Sequence, residues 1–456
     1  MTESSDNRST IYQRPVEILQ RLIQFDTTNP PGNEAKCISF INDLLTEFGI
    51  KTTILSRTPE RPNLIARLNS GKRNVSPLLL YGHVDVVTTK DQKWKHPPFE
   101  GRLQDGCVWG RGALDMKGGI AMMLSAFLRS KIEGLDLPGD IVLAIVSDEE
   151  MGGDFGSRYL VENHSDLFDG IRYAIGEFGG FTLHIGNRRF YPIMVAEKQK
   201  CWLRSTIRGQ GGHGAIPVRG GAMAKLSQLL QKLDKNRLPV HITPVANQMF
   251  KTIASSICGL KGLILSQLTN PLLTNQVLNL LGESGRIFDP LLHNTVSATV
   301  LHGSDTINVI PSEISVELDG RLLPGYGPDD LIAELRNLIG NDVELDIIRF
   351  DPGPGEPDMG LFSTLAEILC NADPDGIPVP LLLSAVTDAQ SFSRLGIQTY
   401  GFLPMLLPKD LNFSQTIHGA NERIPVEALD FGSRAIYELL RRHTEIKPSN
   451  LGMKFD

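Results

Sequence analysis

Leu78-Leu79-Leu80-Tyr81-Gly82-His83-Val84-Asp85 is an apolar run that ends in an imidazole and a carboxylate, and the fold turns on how it is read. The run reads as a buried strand. Alternate side chains of an extended chain share a face, so His83 and Asp85 can point the same way from the strand end, as a ligand and the group that orients it. Downstream, Gly110-Arg111-Gly112-Ala113-Leu114-Asp115-Met116-Lys117-Gly118-Gly119 sets glycines around one carboxylate just before a helical pattern begins, which marks Asp115 as a second ligand. A third piece, Ile141-Val142-Leu143-Ala144-Ile145-Val146, runs into Ser147-Asp148-Glu149-Glu150. Three adjacent acids at a strand end repel one another unless a cation or solvent relieves them.

Taken singly, each piece has an ordinary explanation. A histidine after a strand is most often a hydrogen-bonded structural residue, an aspartate before a helix is usually an N-cap, and an acidic loop can simply be solvated. Two further pieces shift the balance: Glu177, behind Tyr173-Ala174-Ile175, and His418, in Ile417-His418-Gly419-Ala420-Asn421-Glu422. Imidazole nitrogen and carboxylate oxygen are what divalent zinc accepts.

With these five motifs in order, the chain resembles, over nearly its whole length, the family of zinc-dependent aminoacylases, acetylornithine deacetylases, succinyl-diaminopimelate desuccinylases and glutamate carboxypeptidases. The resemblance implies two zinc ions per subunit, with cobalt a possible substitute. It assigns His83, Asp115 and Glu177 to one ion and Asp115, Glu150 and His418 to the other, Asp115 bridging. Asp85 would accept the second ring N–H of His83, and Glu149 would be the general base that moves a proton from a shared water to the leaving amine.

Outward from this centre, strands alternating with helices imply an α/β fold: a mixed, largely parallel sheet with helices on both faces. Helical patterns cover Pro15 to about Phe25 and a second stretch with Ile38, Ile41, Leu45 and Phe48 on one face, stopping at Gly49. Strands fall near Thr52–Leu55 and Leu64–Leu68. His96, among prolines, reads as structural, and the apolar face after Asp115 (Ile120, Met123, Phe127) reads as core.

Near Val195 the pattern changes, and an inserted α+β lid or dimerisation domain is expected over 196–350, with the catalytic domain formed by 1–195 and 351–456. Its Gly209-Gln210-Gly211-Gly212-His213-Gly214-Ala215-Ile216-Pro217 resembles the family's lid loop, in which the histidine donates to the oxyanion and, in dimeric members, reaches the neighbouring subunit's site. By the same resemblance Asn308 would donate to the substrate carbonyl. Arg321 would hold a substrate carboxylate with its planar fork. Two features depart from the family. Thr387-Asp388-Ala389-Gln390 stands where many relatives carry Asp-x-Arg, so a second positive contact is in doubt. The segment Val245–Thr299 is long and apolar, and reads as a dimer face, extra lid core, or the wall of an acyl pocket, the first being preferred because so long a segment would otherwise leave a large exposed patch.

Composition narrows the partners. The chain has 456 residues, 41% of them hydrophobic, with net charge −7, which argues against a nucleic-acid or anionic-membrane surface. Cys37, Cys107, Cys201, Cys258 and Cys370 are widely spaced without a Cys-x-x-Cys, so a reducing, cytoplasmic setting is expected. The polar opening Met1–Arg14 lacks the apolar core of a secretory signal. The expected function is hydrolysis of the amide bond of an N-acyl amino acid or dipeptide-like substrate by a homodimer. Carboxypeptidase or dipeptidase action is the alternative enzyme, and a metal-retaining binding protein without turnover the alternative of another class.

Overall fold

The computed structural model describes residues 10–72 and 74–443, so Met1–Ser9 of the polar opening lie outside the described residues. The chain forms two compact units: one holds the residues up to Val195, Pro357–Leu381 and the chain from Thr387 onward, and the other holds Ala196–Glu356 with Leu382–Val386.

The first unit is built on a nine-stranded sheet. Its strands include β1 (Thr52–Ser56), β2 (Pro62–Leu68), β3 (Leu78–His83), β4 (Ile141–Val146) and β5 (Tyr173–Gly176). β3 lies between β4 and β5 and runs parallel to both; β5 in turn pairs in parallel with Gln398–Gly401. β1, β2 and β4 pair antiparallel, as do Gln398–Gly401 and Arg188–Glu197, so the sheet is mixed around a parallel centre. Every residue of β3 and β4 is buried. A strand buried on both sides of its pleat must be covered on both faces, and its sequence is accordingly a continuous apolar run with no alternation.

Helix α1 (Lys117–Ile132) is buried around nearly its whole circumference, including Ile120, Met122, Met123, Leu124, Phe127 and Leu128. It is a core helix, and it packs against Val426–Arg442 and Pro15–Ile23. Its start is fixed by close approach: a Cβ on Gly118 would stand 2.1 Å from the Ala113 carbonyl oxygen. Because β3, β4 and β5 are parallel, their ends and the segments that follow them, carrying His83, Asp148–Glu150 and Glu177, lie at one common edge of the sheet, where ligand sites of α/β sheets form.

The second unit has a four-stranded antiparallel sheet in the order Thr295–His302, Glu313–Leu322, Gln199–Arg208, Glu344–Asp351. Helices Ala222–Lys235 and Pro328–Ile339 supply Leu226, Leu229, Leu331 and Leu335 to its core. The apolar segment after Val245 folds into short helices, Pro244–Ser256, Leu260–Ser266, Thr274–Leu281 and Glu283–Phe288. Its apolar residues divide: Met249, Phe250, Ile253, Leu268 and Leu278 are buried, while Leu260, Leu263, Leu272 and Leu280 are exposed.

Candidate metal centre

His83, the last residue of β3, is fully buried, and its Nε2 faces three carboxylates: Asp115 Oδ1 at 3.3 Å, Glu177 Oε2 at 3.5 Å and Glu149 Oε2 at 3.9 Å. The other oxygen of Asp115, Oδ2, lies 3.1 Å from His418 Nε2, which is also 3.4 Å from Glu150 Oε2. Asp115 therefore gives one oxygen to each histidine. Ligand atoms of His83, Glu149 and Glu177 lie within 4.8 Å of one another, as do those of His83, Asp115 and Glu150. Glu150 Oε1 and Glu177 Oε1 are buried without a hydrogen-bond partner. A buried carboxylate oxygen with nothing to accept from is costly, and a cation satisfies it. The donor set therefore fits a divalent metal.

Asp85 does more than orient His83, and by a different atom than expected. His83 Nδ1 lies 3.0 Å from the Asp85 backbone carbonyl oxygen and 3.4 Å from its carboxylate, so the carbonyl is the nearer acceptor. The Asp85 carboxylate instead accepts the backbone N–H groups of Glu149 (3.1 Å) and Glu150 (3.2 Å) and the side-chain amide of Asn29 (2.8 Å). It thereby ties the end of β3 to the turn after β4. The three adjacent acids separate by partner. Asp148 is relieved by the protein's own cation, Arg61, at 2.9 Å, and accepts from Asn29 at 3.0 Å; Glu149 and Glu150 instead face the histidines of the cluster.

Protonation follows burial and company. Burial, followed by the charge of Glu177, pushes the Glu149 carboxyl well above the usual range. Burial likewise pushes Glu177 up to about 8, and it raises Glu150. The hydrogen bonds of His418 to Asp115 and then Glu150 hold its imidazole up at about 10. Asp115 moves the other way: burial alone would raise it, but the two histidines outweigh burial and hold it below the ordinary range. Left-handed backbone at non-glycine residues gathers here, at Asp148 (φ 71°), Phe178 (φ 60°), His418 (φ 59°) and Asn421 (φ 64°). Each costs about 1–3 kcal/mol, and such strain collects at functional sites.

In the second unit, His213 and Asn308, far apart in sequence, come together in a two-stranded ladder: His213 pairs with Val309, and Gly214 N–H donates to the Asn308 carbonyl at 2.8 Å. Both residues are exposed. His213 Nδ1 accepts the Ala215 N–H at 3.1 Å, which leaves its Nε2 to carry the proton in the neutral ring. Arg321 gives one side of its fork to Asp319 and keeps the Nη1 side. Its Nε and Nη2 are taken by Asp319 at 2.9 and 3.1 Å, because the two side chains share a face of one strand. The His96 ring stacks edge-on with Trp109 at 5.2 Å.

Several residues at the centre have roles that the sequence did not assign. Asn29 and Asp148 support Asp85 and the acid turn, Asp388 is a further buried carboxyl pushed up to about 7 by burial, and Glu422 with Arg111 brackets the Asp115 loop. Gln390 is buried.

Parallel strands whose ends converge on buried imidazoles, carboxylates and orphaned oxygens define a metal-dependent hydrolase of α/β fold. The chain belongs to peptidase family M20/M25/M40, whose model matches residues 79–442. It is similar to a probable carboxypeptidase S-like 2 of Dictyostelium discoideum, 27% identical over 370 residues that cover 78% of this chain and 69% of the relative. It is similar also to the human N-fatty-acyl-amino acid synthase/hydrolase PM20D1, 26% identical over 381 residues covering 81% and 74%. The fold matches that of an M20 family metallo-carboxypeptidase from Sulfolobus solfataricus with a TM-score of 0.68, at 16% identity, over 94% of this chain and 98% of the other.

Proposed function

We propose that the chain hydrolyses the amide bond of N-acyl amino acids, using two zinc ions per subunit held by His83, Asp115 and Glu177 and by Asp115, Glu150 and His418. The observation that carries this reading is Asp115, with Oδ1 3.3 Å from one histidine and Oδ2 3.1 Å from the other, the disposition of a bridging carboxylate. A pair of divalent cations supplies Lewis acidity, polarising a carbonyl and acidifying water. Glu149, farther from His83 Nε2 than Glu177 is (3.9 against 3.5 Å), is the proton carrier. Its carboxyl, raised by burial, takes a proton and returns it to the leaving nitrogen. His213 donates its Nε2–H to the oxyanion and Asn308 its side-chain amide to the substrate carbonyl. Arg321, with Nε and Nη2 on Asp319, takes a substrate carboxylate through its Nη1 side.

The relative named for N-fatty-acyl-amino acids supports the acyl amino acid reading, and the relative named as a carboxypeptidase supports peptide-bond hydrolysis as the second. The five cysteines are free, which supports a reducing, cytoplasmic setting. The exposed Leu260, Leu263, Leu272 and Leu280 support a homodimer formed through the second unit. A panel of N-acyl amino acids and dipeptides, assayed with zinc, with cobalt and metal-free, tests the proposal. Metal-dependent release of amino acid from the acylated series is expected. Faster turnover of dipeptides would make the chain a peptidase, and no turnover with either metal would make it a binding protein.

A further inference from the structure

We infer that Glu422, Arg111 and Gln92 form a positioning relay that fixes the backbones carrying Asp115 and His418, so that both metal sites take their spacing from one buried carboxylate. The inference rests on the ligand assignment proposed above.

Glu422 is wholly inaccessible, and both of its oxygens are used. Oε1 accepts the backbone N–H groups of Leu114 at 2.8 Å and of Asp115 itself at 3.1 Å. Oε2 accepts the N–H of Gly112 at 3.1 Å and Nη1 of Arg111 at 2.7 Å. An ordinary buried ion pair would stop there. Here the other end of the guanidinium turns to the second ligand: Arg111 Nη2 donates to the His418 carbonyl at 3.2 Å and to Gln92 Oε1 at 2.7 Å. Gln92 Nε2 donates to the same His418 carbonyl at 2.8 Å. The His418 side chain is 49% exposed, so packing holds it on one side only, and its left-handed backbone (φ 59°) must be held by hydrogen bonds. Trp94 closes the relay, its ring 5.1 Å from the Arg111 guanidinium and its N–H on Gln92 Oε1 at 3.1 Å.

Charge explains why glutamate is needed. Three backbone N–H groups and a guanidinium converge on one carboxylate, and charge-assisted hydrogen bonds of this kind are shorter and stronger than neutral ones. A glutamine at 422 would keep the length but place an amide donor against donors, loosening the loop that carries Asp115. Gln92 is a lighter probe, since among the described residues its side chain bonds only Arg111, Trp94 and the His418 carbonyl.

The test measures zinc affinity by chelator competition, site by site, with thermal unfolding of the metal-free protein alongside. Glu422→Gln is expected to weaken both metals, and Gln92→Ala to weaken only the one held by His418, each by about 10–100-fold, the usual loss when a ligand's supporting hydrogen bond is removed. Metal-free Gln92→Ala should unfold at the wild-type temperature. Should Glu422→Gln fail to fold, Gln92→Ala carries the test alone. Wild-type affinity at both sites in Gln92→Ala overturns the relay, as does equal weakening of both. Asp115→Asn separates the two levels: if it binds both metals like the wild type, the ligand assignment fails, whereas metal loss there with none in Gln92→Ala defeats the relay only.

Discussion

The strand-end cluster of the first unit and the two-stranded ladder that carries His213 in the second are both built to present imidazole, yet they do so under opposite constraints. His83 is buried, with each nitrogen facing an acceptor and its neighbours Asp115, Glu149 and Glu177 fixed by strands, turns and a second rank of hydrogen bonds. His213 is exposed, held by two ladder pairs and one bond from Ala215, and among the described residues its Nε2 has no hydrogen-bond partner. The first arrangement suits a group that must not move while it binds a cation. The second suits a donor that meets its partner only when substrate is present. Orphaned acceptors, Glu150 Oε1 and Glu177 Oε1, occur in the first unit's cluster and ask for a cation. The second unit also buries a charge, Lys198, but satisfies it with neutral acceptors, the His293 carbonyl at 2.8 Å and Thr295 Oγ1 at 2.9 Å.

The largest effect that sharpens this contrast is expected at Glu149. Glu149→Gln should retain both metals while kcat falls by about 10²–10⁴, the range for a lost acid–base group. Near wild-type turnover would move the proton carrier elsewhere in the cluster. His213→Ala should also keep its metals, with kcat lower by about 10²–10³, the cost of one oxyanion donor. Metal loss in that variant would erase the distinction between the two imidazoles. If the donor comes from a partner subunit, mixing His213→Ala with Glu149→Gln chains restores part of the activity.

The smallest effect concerns Lys198. Burial, then the charge of Arg321, holds its ammonium down at about 7, against 10.5 for an exposed lysine. Below about pH 7 the lysine is charged in both folded and unfolded chains and the cost of burying it is fully present; from there to its unfolded pKa the unfolded chain binds more protons, so stability rises with pH. Lys198→Met should flatten that rise, read as the difference between denaturant midpoints at about pH 7 and about pH 9. An unchanged slope would mean that the ammonium is not the group responsible.

What could be read from the sequence follows from how local each signal is. β3, β4 and Val426–Arg442 were legible because continuous apolar runs and helical periodicity are carried by neighbouring residues. His83, Glu149, Glu150 and Glu177 were legible because each lies at or just after the end of such a run, whereas Asp115 and His418 were found from the motifs that resemble the family's. The role of Asp85 was half legible: alternation along a strand points its side chain, but the acceptor His83 uses is a backbone carbonyl, which no residue type announces. Glu422 and Arg111 lie in the quoted motifs but their roles were not legible, since they bond each other across remote loops and otherwise mostly reach backbone groups. The apolar segment after Val245 could not be divided into core and surface, because its helices are too short for periodicity to show a face. Leu278 and Leu280, two positions apart, end at 1% and 70% exposure. A polar substitution at Leu278 would consequently report on folding, and Leu263 is the position that reports on association.

The central claim is that one carboxylate serves two cations, and metal analysis of wild type and Asp115→Asn after equilibration with limiting free zinc tests it most directly. Two zinc ions per chain in the wild type, and the weakening of both in Asp115→Asn while the metal-free proteins unfold alike, is the expected result. One ion in the wild type, or the loss of a single ion in the variant, would contradict it.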